Sequence, residues 1–367
     1  MYLLLILYLF IGYLDKYIPN VEIVQMLSGF IIICFAVYKI FISGLLSDIS
    51  RFIIFSLFVS FIIVFYSIDV QFNEYTTNKP KKIFFLLALS YSVGILFAKN
   101  EVSIKKFITY NKYAVLVLFF ISLIELPNSL SLSSRISLLG SNPIWLARAF
   151  GILIIIAYYN IVNKIHKFLI ILLSLLIIFL TKSEGPLFAL FVVFLLEIYS
   201  YLKPKLSSYG RMFIFVISCS FLSIFYSYII NLVDFNGRLY LYEIGIQQFF
   251  SNPYGSGIGY FSEISVSSLP YPHNIFIEIL LEYGIIVFSI ICISVVSLFM
   301  YFLKNINKIS IVMKIVFMLF IFEVINAQFS GDTTSPKLGY IMLFILIEFV
   351  RMRKGDSLKK KVLVYSK

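Results

Sequence analysis

PHNIFIEILLEYGIIVFSIICISVVSLFMYFL, residues 272–303, joins a polar entrance to a long apolar run. From Ile275 to Leu303 the run exceeds the ~20 apolar residues that a membrane helix needs, and so it reads as a helix in lipid. The entrance carries His273, one of only two histidines in 367 residues, between Pro272 and Asn274. The run itself holds Glu278 and Glu282, which fall on one face of a helix that starts near Asn274. Ionisable groups in such helices are costly unless paired or hydrated, so they mark a functional site. A face bearing both carboxylates could line a polar shaft descending from His273; the alternative is a pair of structural carboxylates bonded to neighbouring helices, the better reading for Glu282.

Outward from this segment the apolar character recurs. Runs cover roughly 2–14, 23–41, 52–68, 83–97, 114–126, 144–161, 168–180, 186–201, 212–233, 311–327 and 338–350. With 61% hydrophobic and 13% charged residues and a mean hydropathy of +0.99, the chain reads as an all-α, polytopic integral membrane protein with about 12 transmembrane helices. No Pro/Gly/Ser-rich linker and no repeat divides it, which makes residues 1–367 one membrane domain. The N-terminus lacks a basic region and a cleavage site and reads as a retained first span. Cys34, Cys219 and Cys292 all lie in apolar runs and suggest packing rather than disulfides.

The net charge of +12 follows membrane topology, not a nucleic-acid partner. About 21 of the 30 basic residues fall in alternate loops and the C-terminal tail, from Lys39 and Arg51 through Lys203 and Lys304 to Lys361 and Lys367. The positive-inside rule makes that side cytoplasmic. Lys79, Lys81 and Lys82 break the pattern on the other side.

Most loops are short, but residues 234–273 form one large extracytoplasmic loop. Within it Leu239, Tyr242, Ile246, Phe249 and Phe250 recur at helical spacing, the pattern of an amphipathic helix on the membrane surface. Asn252-Pro253 stops that helix, and Gly255, Gly257 and Gly259 fit a turn where backbone bends or approaches something closely. Polar segments around Arg135 and Asn142, Lys182 and Ser183, and Asp332 lie on the same side.

Arg238 offers a guanidinium fork matched to phosphate oxygens; the bland alternative is a lipid-headgroup contact. Arg148, inside an apolar run, either snorkels or lines a polar cavity. His273 titrates near neutrality and can orient or deprotonate a hydroxyl, or else caps a helix or anchors at the interface with Tyr271. No ligand cluster for a metal and no phosphate-binding GxxxxGK[ST] loop occurs, so no metal and no cofactor is expected.

Two stretches, GRLYLYEIGIQQFFSNPYGSGIGYF (237–261) and PHNIFIEILLEYGII (272–286), resemble the O-antigen polymerase and ligase superfamily of bacterial membrane glycosyltransferases, closest to Wzy-type polymerases. The matching positions are Arg238, Pro253, Gly257, Gly259, His273, Asn274, Glu278, Glu282 and Gly284, a core of about 50 residues. One departure is Ser183-Glu184-Gly185, where the family often has a cation in the middle; Lys182, Arg148 or Arg135 would have to supply that charge. The resemblance implies a GT-C-like enzyme of the bacterial inner membrane with its active site facing outward. It would polymerise glycan repeat units carried on undecaprenyl diphosphate, with metal-independent inversion. His273 and Arg238 would be catalytic, and Arg148, Arg135, Lys182, Asn274, Glu278 and Tyr271 would bind substrate. Membrane lipid and a chain-length regulator protein would be its partners. The alternatives are a ligase that moves finished polymer onto lipid A core, a lipid-linked oligosaccharide flippase, and a non-catalytic scaffold.

Overall fold

The computed structural model describes residues 1–14, 20–42, 46–68, 73–129, 142–205, 207, 210, 238–265 and 270–365, with side chains undescribed at 14, 46, 122–129 and 354–365. The expected span 212–233, Arg135 and Cys219 lie outside them. Twelve helices and no strand occur among the described residues: α1 (Tyr2–Phe10), α2 (Val21–Ile42), α3 (Leu46–Phe65), α4 (Glu74–Ala98), α5 (Glu101–Ser129), α6 (Pro143–Asn160), α7 (Lys164–Leu180), α8 (Glu184–Leu202), α9 (Arg238–Ser251), α10 (Ile275–Asn305), α11 (Ile311–Asn326) and α12 (Lys337–Tyr365), besides short helical turns. Six of them are long and apolar enough to cross a bilayer by length and composition: α2, α3, α4, α6, α8 and α10.

Polar caps start many of these helices. Asn73 and Thr76 form a reciprocal capping box on α4, and Asn142, Asn163, Asn274 and Ser310 accept first-turn N–H groups of α6, α7, α10 and α11. The core centres on α11, whose residues Val316 to Phe322 are buried on all sides. Close helix contact depends on small residues: a Cβ on Gly94 of α4 would meet Phe344 of α12, and one on Gly151 of α6 would strike the Phe322 ring of α11. On α3 and α10, by contrast, Ile54, Leu57, Phe61, Ile286, Ile290 and Ile293 face outward. In lipid such exposure costs little, because the acyl chains are as apolar as these side chains.

The bundle has two chemically distinct ends. At one, Asp48 and Glu348 hold Arg51, Lys99 and Arg351 in an ion network, and Lys203 donates to the carbonyls of Leu303 and Lys304. Arg51 of α3, Lys99 just after α4 and Arg351 of α12, far apart in the sequence, thus gather in space. At the other end lie the N-termini of α4, α6, α10 and α12 and the C-termini of α3, α7 and α11.

One break positions the second end. Gly284 interrupts α10 at φ 71°, ψ 179°, and the freed carbonyls of Leu281 and Glu282 accept from Ser256 N (2.9 Å) and Gly257 N (3.1 Å). Ile285 N donates in turn to Pro253 O at 2.9 Å. The long loop therefore docks its backbone into the gap of a broken helix, and the close approach expected of the glycine turn is made here. Residues 285–305 still measure roughly 30 Å, a full bilayer crossing. The apolar run gave no hint of this break.

Candidate functional site

The segment between α11 and α12 draws together Arg238, Tyr242 and the entrance to α10. Its carbonyls are the acceptors: Ile275 N donates to Ala327 O (3.0 Å), Asn274 Nδ2 and the Tyr242 hydroxyl to Gln328 O (3.3 and 3.4 Å), and Arg238 Nη1 to Phe329 O (2.7 Å). The Phe329 side chain packs on Gly185 of α8, where any Cβ would meet it at 2.8 Å, and so brings the 181–185 turn to the same place. Lys182 adopts φ 52° in that turn.

His273 sits at the mouth of α10 in a left-handed conformation, φ 57°. Its ring packs edge-on against Tyr271 at 4.6 Å, and its Nδ1 is buried without a hydrogen-bond partner. Burial and the nearby Arg238 guanidinium push its pKa down to about 4, with Asp332 pulling the other way. The expectation of titration near neutrality is thus corrected: His273 is a neutral imidazole at physiological pH.

The shaft expected below His273 is not open. Glu278 and Glu282 are fully buried, and both pair with Lys79 of α4. Glu282 also accepts from Gly259 N at 2.8 Å, tying the glycine turn to the pair. Lys79, which looked like a stray outer charge, is their counter-ion. Arg148 is buried and engages Glu323 of α11 through both Nε (2.9 Å) and Nη2, so it does not snorkel. The amphipathic helix also differs in detail. Helix α9 packs on α10 through Leu241 and Gly245, while Leu239, Ile246 and Phe250 of the expected apolar face remain exposed.

Beside Tyr271 lies a cavity of about 330 Å³, lined by Tyr13, Trp145, Arg148, Asp332 and Lys337 among others. Asp332 is held in a local turn, accepting from Thr334 N, Thr334 Oγ1 and Ser335 Oγ, and reached by the Tyr75 hydroxyl at 3.3 Å. Tyr271 and Arg148 belong to this cavity; His273 adjoins it through Tyr271. Sequence reasoning missed Lys79 and Glu323 and gave Asp332 no role. The Asn73-x-x-Thr76 capping signature was a usable clue, because it starts α4 at Glu74 and sets Lys79 inside the helix. No group of three or more His, Cys, Asp or Glu side chains suited to a metal ion occurs among the described residues.

Fold and site together define a multi-pass helical membrane protein with a polar, cation-bearing end. Residues 169–292, about a third of the chain, match the family model described as O-antigen ligase, and this match supports the O-antigen polymerase/ligase superfamily. The matched segment contains Lys182, Arg238, His273, Glu278, Glu282 and Gly284. Members of that family are membrane enzymes of polysaccharide and glycoconjugate assembly that act on lipid-linked substrates. No curated protein matches the chain.

Proposed function

We propose that this protein polymerises polysaccharide repeat units carried on undecaprenyl diphosphate, at the outer face of the inner membrane. The observation that carries the reading is His273: a neutral imidazole with a buried, unpartnered nitrogen, set close to a guanidinium in a family of lipid-linked glycan enzymes. An acceptor hydroxyl hydrogen-bonded to that imidazole attacks the anomeric carbon of the donor from the face opposite the diphosphate. The new C–O bond forms as the C–O bond to phosphate breaks. The hydroxyl proton passes to His273, and the diphosphate leaves on its lipid. Arg238 stabilises the departing charge, with Lys182 and Asn274 near the same mouth. Glu278 acts indirectly, by fixing α10 through Lys79.

The matching family, O-antigen ligase, favours a second reading, a ligase that passes finished polymer to lipid A core. A flippase would call for charged groups and a helix interruption near the bilayer midplane. The Gly284 break precedes a full-length crossing and so belongs near the membrane edge, which favours an enzyme.

The test is complementation of a deletion strain with wild type, Arg238→Ala and His273→Ala at matched membrane levels, followed by gel analysis of surface glycan. A ladder that collapses to a single repeat in both variants is the expected result. Long polymer retained on the lipid carrier would point to the ligase, and normal ladders would end the catalytic reading.

A further inference from the structure

The cavity beside Tyr271 carries a charge that nothing described so far uses. Of its basic side chains, Arg148 is neutralised by Glu323 and Lys82 by Glu22 at 3.1 Å. The Asp332 carboxylate is engaged by its own turn and Tyr75. Lys337 has no carboxylate within ion-pair distance among the described residues; the Tyr8 ring lies 5.5 Å from its Nζ. Asp332 attracts the Lys337 ammonium through space without reaching ion-pair distance, with a smaller attraction from Glu22, while Lys82 and Arg148 repel it. A half-buried ammonium with no direct ion-pair partner is under-satisfied, and the cavity it lines has room for an anion in contact with it. Lys337 is also the first residue of the long helix α12, whose positive dipole end favours the same charge.

We infer that Lys337 receives a phosphoryl anion in this cavity. Resting on the function proposed above, that anion is the diphosphate of the lipid-linked substrate. Lys337, and not Arg148, then supplies the cation that the 183–185 turn lacks. The leaving group would lie one tyrosine ring away from His273.

Trp145 is the only tryptophan in the chain and lines the cavity, so its emission reports occupancy. Farnesyl diphosphate titrated into the purified full chain in nanodiscs is expected to change that emission saturably. Lys337→Gln should weaken binding by about tenfold or more, while Lys337→Arg, which keeps the charge, should titrate close to wild type. Inorganic pyrophosphate serves as the second probe: weaker binding than farnesyl diphosphate supports a lipid-borne anion, and equal binding overturns that assignment in favour of a free phosphate. An equal response to farnesol, or a Lys337→Gln protein that titrates like wild type, overturns the site itself. The readout is binding, so it is independent of the glycan ladder that tests His273.

Discussion

In the proposed reaction, His273 works through the state in which its surroundings hold it. With a native pKa of about 4, it is already neutral at pH 7 and stays so on mild acidification. The acid limb of the rate profile that belongs to this residue should therefore fall near pH 4, and an initial-rate profile with a limb near 6.5 would contradict the buried geometry. The same depression links to stability. The unfolded chain takes up this proton near pH 6.5, the folded chain only near 4, so the stability His273 contributes is complete above about 6.5 and declines as pH falls toward 4. Removing the ring by His273→Ala should lower transfer by about 10²- to 10⁴-fold with the fold intact. Gly284 is the other residue whose identity is dictated by geometry. Its backbone is one that L side chains rarely adopt, and a Cβ would strike the Tyr254 backbone. Gly284→Ala should destabilise by at least about 2 kcal/mol and lower the melting temperature measured in detergent.

Among the helices, the contact of α4 with α10 is electrostatic as well as apolar. Lys79, Glu278 and Glu282 enclose one ammonium and two carboxyl groups with almost no exposure. Breaking the set by Lys79→Met leaves buried carboxyls without their partner and should cost about 3–5 kcal/mol. Adding Glu278→Gln and Glu282→Gln to that variant should restore most of the loss, and thermal melting of the series decides it. Glu282→Leu should be worse tolerated than Glu278→Leu, because it also strips Gly259 N of its acceptor. These pairings explain how much the sequence revealed. The start of α10 at Asn274, the stop of α9 at Asn252 and the glycine turn all rest on local chemistry and were legible. The partner of Glu278 stands 199 positions away, and that of Arg148 stands 175 away; no local pattern carries such a pairing. The break at Gly284 was hidden for a different reason: the groups that satisfy it come from the loop, so the apolar run needs no polar residue of its own.

For the molecule as a whole, the separation of a basic end from the His273 end sets an orientation that labelling can check. In a cysteine-free background, Tyr254→Cys (71% exposed) and Val162→Cys (95% exposed) sample the two ends. If the basic end faces the cytoplasm, an impermeant maleimide applied to intact spheroplasts should modify position 254 and spare position 162; the reverse pattern would invert the topology. The segment after α11 has a different implication, for how such a chain can diverge. It grips α9 and α10 through the main-chain oxygens of residues 327–329, and a carbonyl is present whatever the side chain. Substitutions at Ala327 or Gln328 should therefore leave those bonds in place, whereas deleting a single residue there would move every oxygen out of reach. Related chains could drift far apart in letters at this segment while keeping its length, so spacing would be a better guide to kinship there than identity.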